Sequence, residues 1–222
     1  MLPFVGVAVA ASALALAFGL LFAKLTDSVL EGEDLPTVDV RVTTWLVDHR
    51  YGTLTALLRP VTHLADPLVI AAVLGVAVVV LAARGRRRAA AFLVVSSLGT
   101  ALLVHAVKVL IGRDRPESAD RLVAVTGAAF PSGHAAQSVA CYVAIAVVVL
   151  WSSRSRTTGL VAMIVAGSIV LLVGVSRVYL GVHWTSDVIA GWSLGATWLA
   201  CTFVVFSIAG WVDHRLADEG RD

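Results

Sequence analysis

The chain has 222 residues, 59% of them hydrophobic and 14% charged, which is far more apolar side chain than one soluble domain of that length covers. That composition excludes a water-soluble globular protein, and the formal net charge of +2 names no partner. The fold class it predicts is all-α: a polytopic membrane protein with six transmembrane helices, forming a single membrane-embedded domain over residues 1–222 with no separate soluble part.

Crossing a bilayer takes about 20 helical residues. Apolar runs of roughly that kind extend over Leu2 to Ala23, Leu68 to Ala83, Ala89 to Ile111, Ala135 to Trp151, Gly159 to Val175 and Val188 to Ile208. The second run is short and has to borrow flanking residues. The first has no basic residue before it and exceeds the length of a secretory h-region, so it reads as a retained helix. Between the first two runs, residues 24–67 form a long connection whose Trp45, Leu46, Leu54, Leu57 and Leu58 predict short amphipathic helices along the interface, interrupted near Gly52 and Pro60. His63 and Asp66 in that stretch are set aside, because a lone loop histidine is more often a surface or capping group than a catalyst. Cys141 and Cys201 lie inside spans at different depths and read as small core residues, neither a disulfide nor a metal pair.

Arginines set the orientation. Arg84 to Arg88 and Arg154 with Arg156 fall in the second and fourth connections, which alternating spans place on one side, and the positive-inside tendency makes that side cytoplasmic. Both clusters adjoin spans, so nucleic acid is not an expected partner. Both termini, including a tail over 212–222, are then cytoplasmic, and the connections 24–67, 112–133 and 176–187 face the periplasm or cell exterior.

Unusual polar residues concentrate at that outer end: "KVLIGRDRP" from Lys108, "PSGH" from Pro131 and "SRVYLGVHWTSD" from Ser176. Singly, a lysine near a helix end snorkels and a serine before a helix caps it. Together, Lys108, Arg115 and Arg177 cluster at one depth, where a cation within a span costs about 2.5–3.5 kcal/mol, so they point to a shared anionic ligand. Guanidinium forks match phosphate oxygens, and Ser132 and Gly133 at a helix start add free N–H groups and close approach. Nothing resembles a nucleotide loop, and ATP is not implied.

Two histidines turn such an anion site toward catalysis. His183 and Asp187 are four apart, so the carboxylate reaches one ring nitrogen and leaves the other free to attack phosphorus; His134, with no carboxylate near it in sequence, suits a general acid. His105, one turn before Lys108, reads as a packing or hydrogen-bonding residue.

Lys108, six residues, Arg115-Pro116; Pro131-Ser132-Gly133-His134; Ser176-Arg177, five residues, His183, three residues, Asp187: this split pattern resembles the type 2 phosphatidic acid phosphatase superfamily, in its membrane branch, over roughly Leu2 to Trp211. The resemblance implies a six-helix lipid phosphatase in which His183 is phosphorylated, Asp187 supports it, and His134 protonates the leaving group. It also implies that Lys108, Arg115, Ser132, Gly133 and Arg177 hold the phosphate, with no metal and no other cofactor. Soluble acid phosphatases and vanadium haloperoxidases share the motifs but lack spans, so vanadium is not expected.

The expected partners are the bilayer and a membrane lipid phosphate: phosphatidic acid, phosphatidylglycerophosphate or a polyprenyl diphosphate. The motifs read the phosphate and leave the lipid and the oligomeric state open. The Ala- and Val-rich chain with short loops suggests a bacterial cell membrane. Transfer of the phosphoryl group to an alcohol is chemically close to hydrolysis; lipid transport is disfavoured because the mid-span segments are almost purely apolar.

Overall fold

The computed structural model describes residues 2–32, 35–117 and 120–219. The helices are α1 (Leu2–Glu31), α2 (Leu35–Asp48), α3 (Gly52–Thr62), α4 (Pro67–Ala83) and α5 (Arg87–Ile111), then α6 (Gly133–Ser152), α7 (Arg156–Tyr179) and α8 (Thr185–Glu219). Five of these, α1, α5, α6, α7 and α8, are individually long and apolar enough to cross a membrane. The remaining expected span is not a single helix of that length: α4 has 17 residues and covers only about 25 Å at a rise of 1.5 Å per residue, and it passes the length and apolarity test only together with α3. The two are bent by 54° at the break between them, so any flanking length that the short second run borrows comes from α3.

Several boundaries differ from expectation. The first helix runs on to Glu31, past the end of its apolar run, because Lys24, Thr26, Asp27 and Ser28 remain helix-compatible once the chain leaves the hydrocarbon. Pro60 lies inside α3 and does not interrupt it; only the break before Gly52 separates α2 from α3. The expected tail continues α8 to Glu219, and its last three residues lie outside the described ones. Cys141 is buried as expected, but Cys201 is exposed on the bundle surface. His105 is exposed as well, so it faces away from the packed side of α5 and is not a packing residue.

Local signals explain the helix ends that matter. Gly112 closes α5 in the left-handed region at φ 64°, where glycine carries no Cβ penalty, and the chain then doubles back over the bundle end with Arg113 and Arg115. Ser132 caps α6, its hydroxyl accepting from the Ala135 amide at 3.5 Å. Pro67 occupies the first turn of α4 behind Asp66, where its missing N–H is no loss.

Inside the membrane, Leu81, Phe92, Leu93, Val139, Val148 and Leu199 join α4, α5, α6 and α8 in the largest buried cluster, while α1 packs mainly along α8 and buries Leu25 and part of Phe22 against Phe130. Van der Waals fit rather than water exclusion binds helices in lipid, and glycines set the closest approach. A Cβ at Gly191 would stand 2.5 Å from the Ser132 carbonyl, and one at Gly195 would stand 2.7 Å from that of Ala136. These two positions, one turn apart on α8, seat its backbone against the start of α6. His183 and Asp187 are thereby delivered beside Ser132 and His134.

Candidate functional site

Every residue the motifs single out falls at one end of the bundle. Lys108 stands in the last turn of α5, Arg115 beyond it, Ser132, Gly133 and His134 at the start of α6, Arg177 in the last turns of α7, and His183 and Asp187 across the start of α8. The opposite end carries the two arginine-bearing connections, joined where the Arg86 guanidinium donates to the Ser152 hydroxyl.

His183 is the centre of the arrangement. Its side chain is 2% exposed; Nδ1 lies 3.3 Å from Asp187 Oδ2, and Nε2 lies 3.2 Å from Arg115 Nη1. The ring therefore has a carboxylate behind it and a guanidinium beside the nitrogen left over. Burial first, then the positive charges of Arg177, Arg115 and Lys108, hold the His183 imidazole well below its ordinary pKa. A neutral ring with its proton on Nδ1 keeps its lone pair on Nε2, which accepts from Arg115 here and is the ring's nucleophilic position.

Asp187 is fully buried and receives three donors: the Trp184 amide to Oδ2 at 2.9 Å, Arg113 Nη1 to Oδ1 at 2.6 Å, and the His183 ring. Its backbone carbonyl accepts from the Ser132 amide at 2.9 Å, which locks α8 to the start of α6.

The cations surround a shared space. Arg115 is tied down by donation to the carbonyls of Gly127 at 2.9 Å, Val182 at 2.7 Å and Ala128 at 3.2 Å. Lys108 donates to that same Ala128 carbonyl, so the two charges meet. Burial and the neighbouring Arg121 charge act to lower the Arg115 pKa, with Asp187 opposing them. Arg177, 4% exposed, gives Nη1 to Thr62 Oγ1 at 2.9 Å, while its Nε is buried without a hydrogen-bond partner. An orphaned guanidinium N–H is costly in a low-dielectric interior, and an anion among these cations satisfies it. The first-turn amides of α6 contribute donors and positive dipole from the other side.

Three side chains outside the motifs enter the site. Asp66, set aside with His63 on sequence grounds, lies 2.9 Å from His134 Nε2 through Oδ1 and 2.6 Å from His63 Nδ1 through Oδ2. The general-acid candidate thus has a carboxylate partner supplied from the bend between α3 and α4, 68 positions away. Arg113 reaches Asp187 on one side and Asp39 Oδ2 at 2.9 Å on the other. Asp39, 1% exposed on α2, also accepts from the Ser186 amide at 2.9 Å and from the Ser186 hydroxyl. The one available sequence signal was Arg113 itself, a further arginine two positions before Arg115. Asp39 and Asp66 are two of the seven acids in the connection 24–67, and only folding singles them out. Among the described residues, no group of three or more His, Cys, Asp or Glu is placed to hold a metal ion.

A cavity of about 510 Å³ opens from His134 and Gly133 and descends between α4 and α5 along Ala71, Leu74, Leu98 and Ala101. One turn below His134 it passes Gln137, which accepts from the Ser97 hydroxyl at 2.9 Å and donates to the Ser97 carbonyl at 3.1 Å. An apolar groove thus reaches the motif layer at Gly133 and His134.

Relatives share this sequence and this fold. Over 98 residues the chain is 41% identical to phosphatidylglycerophosphatase B of Bacillus subtilis, covering 42% of this chain and 46% of that protein. It is 38% identical over 85 residues to the undecaprenyl-diphosphatase of Sulfolobus acidocaldarius, covering 38% of this chain and 36% of that one. The match therefore spans less than half the length of these curated relatives. The crystal structure of a transmembrane PAP2-type phosphatidylglycerolphosphate phosphatase from Bacillus subtilis superposes with a TM-score of 0.76 at 26% identity, over 85% of this chain and 93% of that one. Aquifex aeolicus LpxE shares the fold, with a TM-score of 0.59 at 19% identity over 74% and 93% of the two chains. The family model of the PAP2 superfamily matches residues 89–211, which carry all three motifs, and the chain belongs to that superfamily.

Proposed function

We propose that this protein is a membrane lipid phosphatase that removes a phosphate from a lipid phosphomonoester or diphosphate at the extracytoplasmic face of a bacterial cell membrane, through a phosphohistidine. The observation that carries the reading is the groove: an apolar channel between α4 and α5 ends at Gly133 and His134, two of the motif residues at the start of α6, which suits a phosphate bearing lipid chains. The curated relatives are named for phosphatidylglycerophosphate and undecaprenyl diphosphate, both lipid phosphates.

In the reaction, Arg115, Arg177, Lys108 and the first-turn amides of α6, at Gly133 and His134, hold the non-reacting phosphate oxygens. His183 Nε2 attacks phosphorus while the bond to the lipid oxygen breaks, and His134 gives that oxygen its proton. Asp187, oriented by Arg113, accepts from His183 Nδ1, fixes the tautomer and stabilises the charged ring. Water then attacks the phosphorus of the P–N bond; His134 takes its proton, inorganic phosphate leaves, and both histidines return to their starting states. With Nε2 engaged by Asp66, His134 carries the mobile proton on Nδ1. No step uses a metal.

The test is phosphate release in detergent from phosphatidic acid, phosphatidylglycerophosphate and a polyprenyl diphosphate, with rapid quenching to trap acid-labile, base-stable phosphoprotein. Release that persists with a chelator and is inhibited by vanadate, with phosphate trapped on the wild type and none on His183→Ala, is the expected result. Activity that disappears with EDTA and returns with magnesium would remove the mechanism.

A further inference from the structure

The groove that ends at Gly133 and His134 has apolar walls, among them Ile70, Ala71, Leu74, Leu98 and Ala101. Among the described residues that line it, only His134, Gln137 and Ser97 carry polar side chains. Gln137 stands three positions after His134 in α6, so the two share a helix face, about 4.5 Å apart along the axis at 1.5 Å per residue. Ser97 is buried, whereas Gln137 is half-buried.

Helix packing accounts for part of this carboxamide, since polar side chains tie neighbouring helices together in lipid. Its oxygen accepts from the Ser97 hydroxyl at 2.9 Å, and its nitrogen donates to the Ser97 carbonyl at 3.1 Å. An amide nitrogen carries two hydrogens, and the second has no partner among the described residues. The Ser97 hydroxyl has already given its one hydrogen. In an apolar groove a spare donor is costly, and an occupant that brings an acceptor to that depth removes the cost. The acceptor has to lie within a few bonds of the phosphate, because Gln137 is a single turn from His134. A diacylglycerol phosphate meets this condition: its ester carbonyls are carried on the glycerol next to the phosphate, and they accept without donating. A polyprenyl chain presents hydrocarbon there and leaves the amide unpaired.

We infer that Gln137 is a specificity-determining residue: its free amide hydrogen pairs with an ester carbonyl of the substrate, so that the groove favours a diacylglycerol phosphate over a polyprenyl phosphate of equal charge. The inference rests on the lipid-phosphatase reading of the same site. The contact lies away from the reacting bond and holds substrate and transition state alike, so it is read in kcat/KM, chiefly through KM.

Three substrates in detergent micelles, at equal surface concentration, test it: dioleoyl phosphatidic acid, its dialkyl ether analogue and a polyprenyl monophosphate. The ether analogue keeps the glycerol, the chains and the charge but has no carbonyls. The wild type is expected to favour the diester over the diether by about three- to tenfold in kcat/KM, the size of one neutral hydrogen bond, and to favour it over the polyprenyl monophosphate as well. Gln137→Met and Gln137→Leu, which remove the amide and keep an apolar side chain in the groove, should each bring the diester-to-diether ratio to about one. The ratio is taken within one preparation, so it does not depend on how much of a variant folds. A residue that only ties α5 to α6 would, when replaced, slow both substrates together and leave the ratio where it was. Equal rates on diester and diether in the wild type would overturn the inference, as would a ratio that survives both substitutions. Absence of phosphate release from all three lipids would instead overturn the lipid-phosphatase reading, and this inference with it.

Discussion

His183 and His134 each have a carboxylate partner, and the two pairs differ in a way kinetics can read. His183→Ala should abolish turnover, because no other side chain at the site can offer a nucleophilic nitrogen in its place. His134→Ala removes a general acid, which typically slows a reaction by about 10²–10⁴-fold when the leaving group needs a proton; nitrophenyl phosphate, whose leaving group departs without one, should rescue it and should not rescue His183→Ala. Asp66→Asn keeps the size of the side chain but not its charge. It should show the same leaving-group signature as His134→Ala with a smaller loss on lipid, about 10²-fold or less. Equal slowing of both substrates by Asp66→Asn would mean that the contact only holds the bend. The pH dependence follows from the depressed His183 value. A free histidine titrates near about 6.5; with the folded value lower, the ring stays neutral as pH falls through that point. The acid limb of kcat/KM that reports His183 should therefore lie below about 6.5, measured on nitrophenyl phosphate so that His134 does not mask it. The same shift makes the folded state lose stability as pH drops below the unfolded value, since the unfolded chain takes up the proton first.

Between elements, α2 is tied to the catalytic layer by one buried carboxylate. Asp39 joins Arg113 and the start of α8 through Ser186, so α2 and the helix that carries Asp187 share an ion-pair network. Breaking a buried pair by removing one partner costs about 3–5 kcal/mol, because the other charge is left uncompensated. Asp39→Ala should lower the detergent melting temperature and reduce kcat by loosening Arg113 against Asp187. Asp39→Glu should recover part of both. A melting temperature unchanged by Asp39→Ala would show that Arg113 is held well enough by Asp187 alone.

For the whole molecule, the two ends of the bundle are chemically different: the motif residues proposed to bind the anion and catalyse lie at one, and the two arginine-bearing connections lie at the other, where Arg86 meets Ser152. In a chain freed of Cys141 and Cys201, a cysteine replacing Glu117, which is exposed at the site end, should react with an impermeant thiol reagent on intact cells. One replacing Gly85 should not. Labelling confined to Gly85 would invert the proposed orientation. The sequence by itself determined the solvent, the helical class, the approximate spans and the motif residues, because a bilayer demands long apolar helices and the motif groups sit at fixed short spacings on helix ends. It also placed all the motif residues in one layer, since each lies at the same end of its span. What it could not carry is any contact made by folding over long separations. Asp39 reaches Arg113 across 74 positions and Asp66 reaches His134 across 68, each one acid among seven in a connection where solvation was the simpler reading. The bend of α3 on α4, the closeness of α8 to α6 at Gly191 and Gly195, and the groove between α4 and α5 are likewise decided by packing, because helix approach depends on which small residues face which backbone and periodicity alone does not pair them.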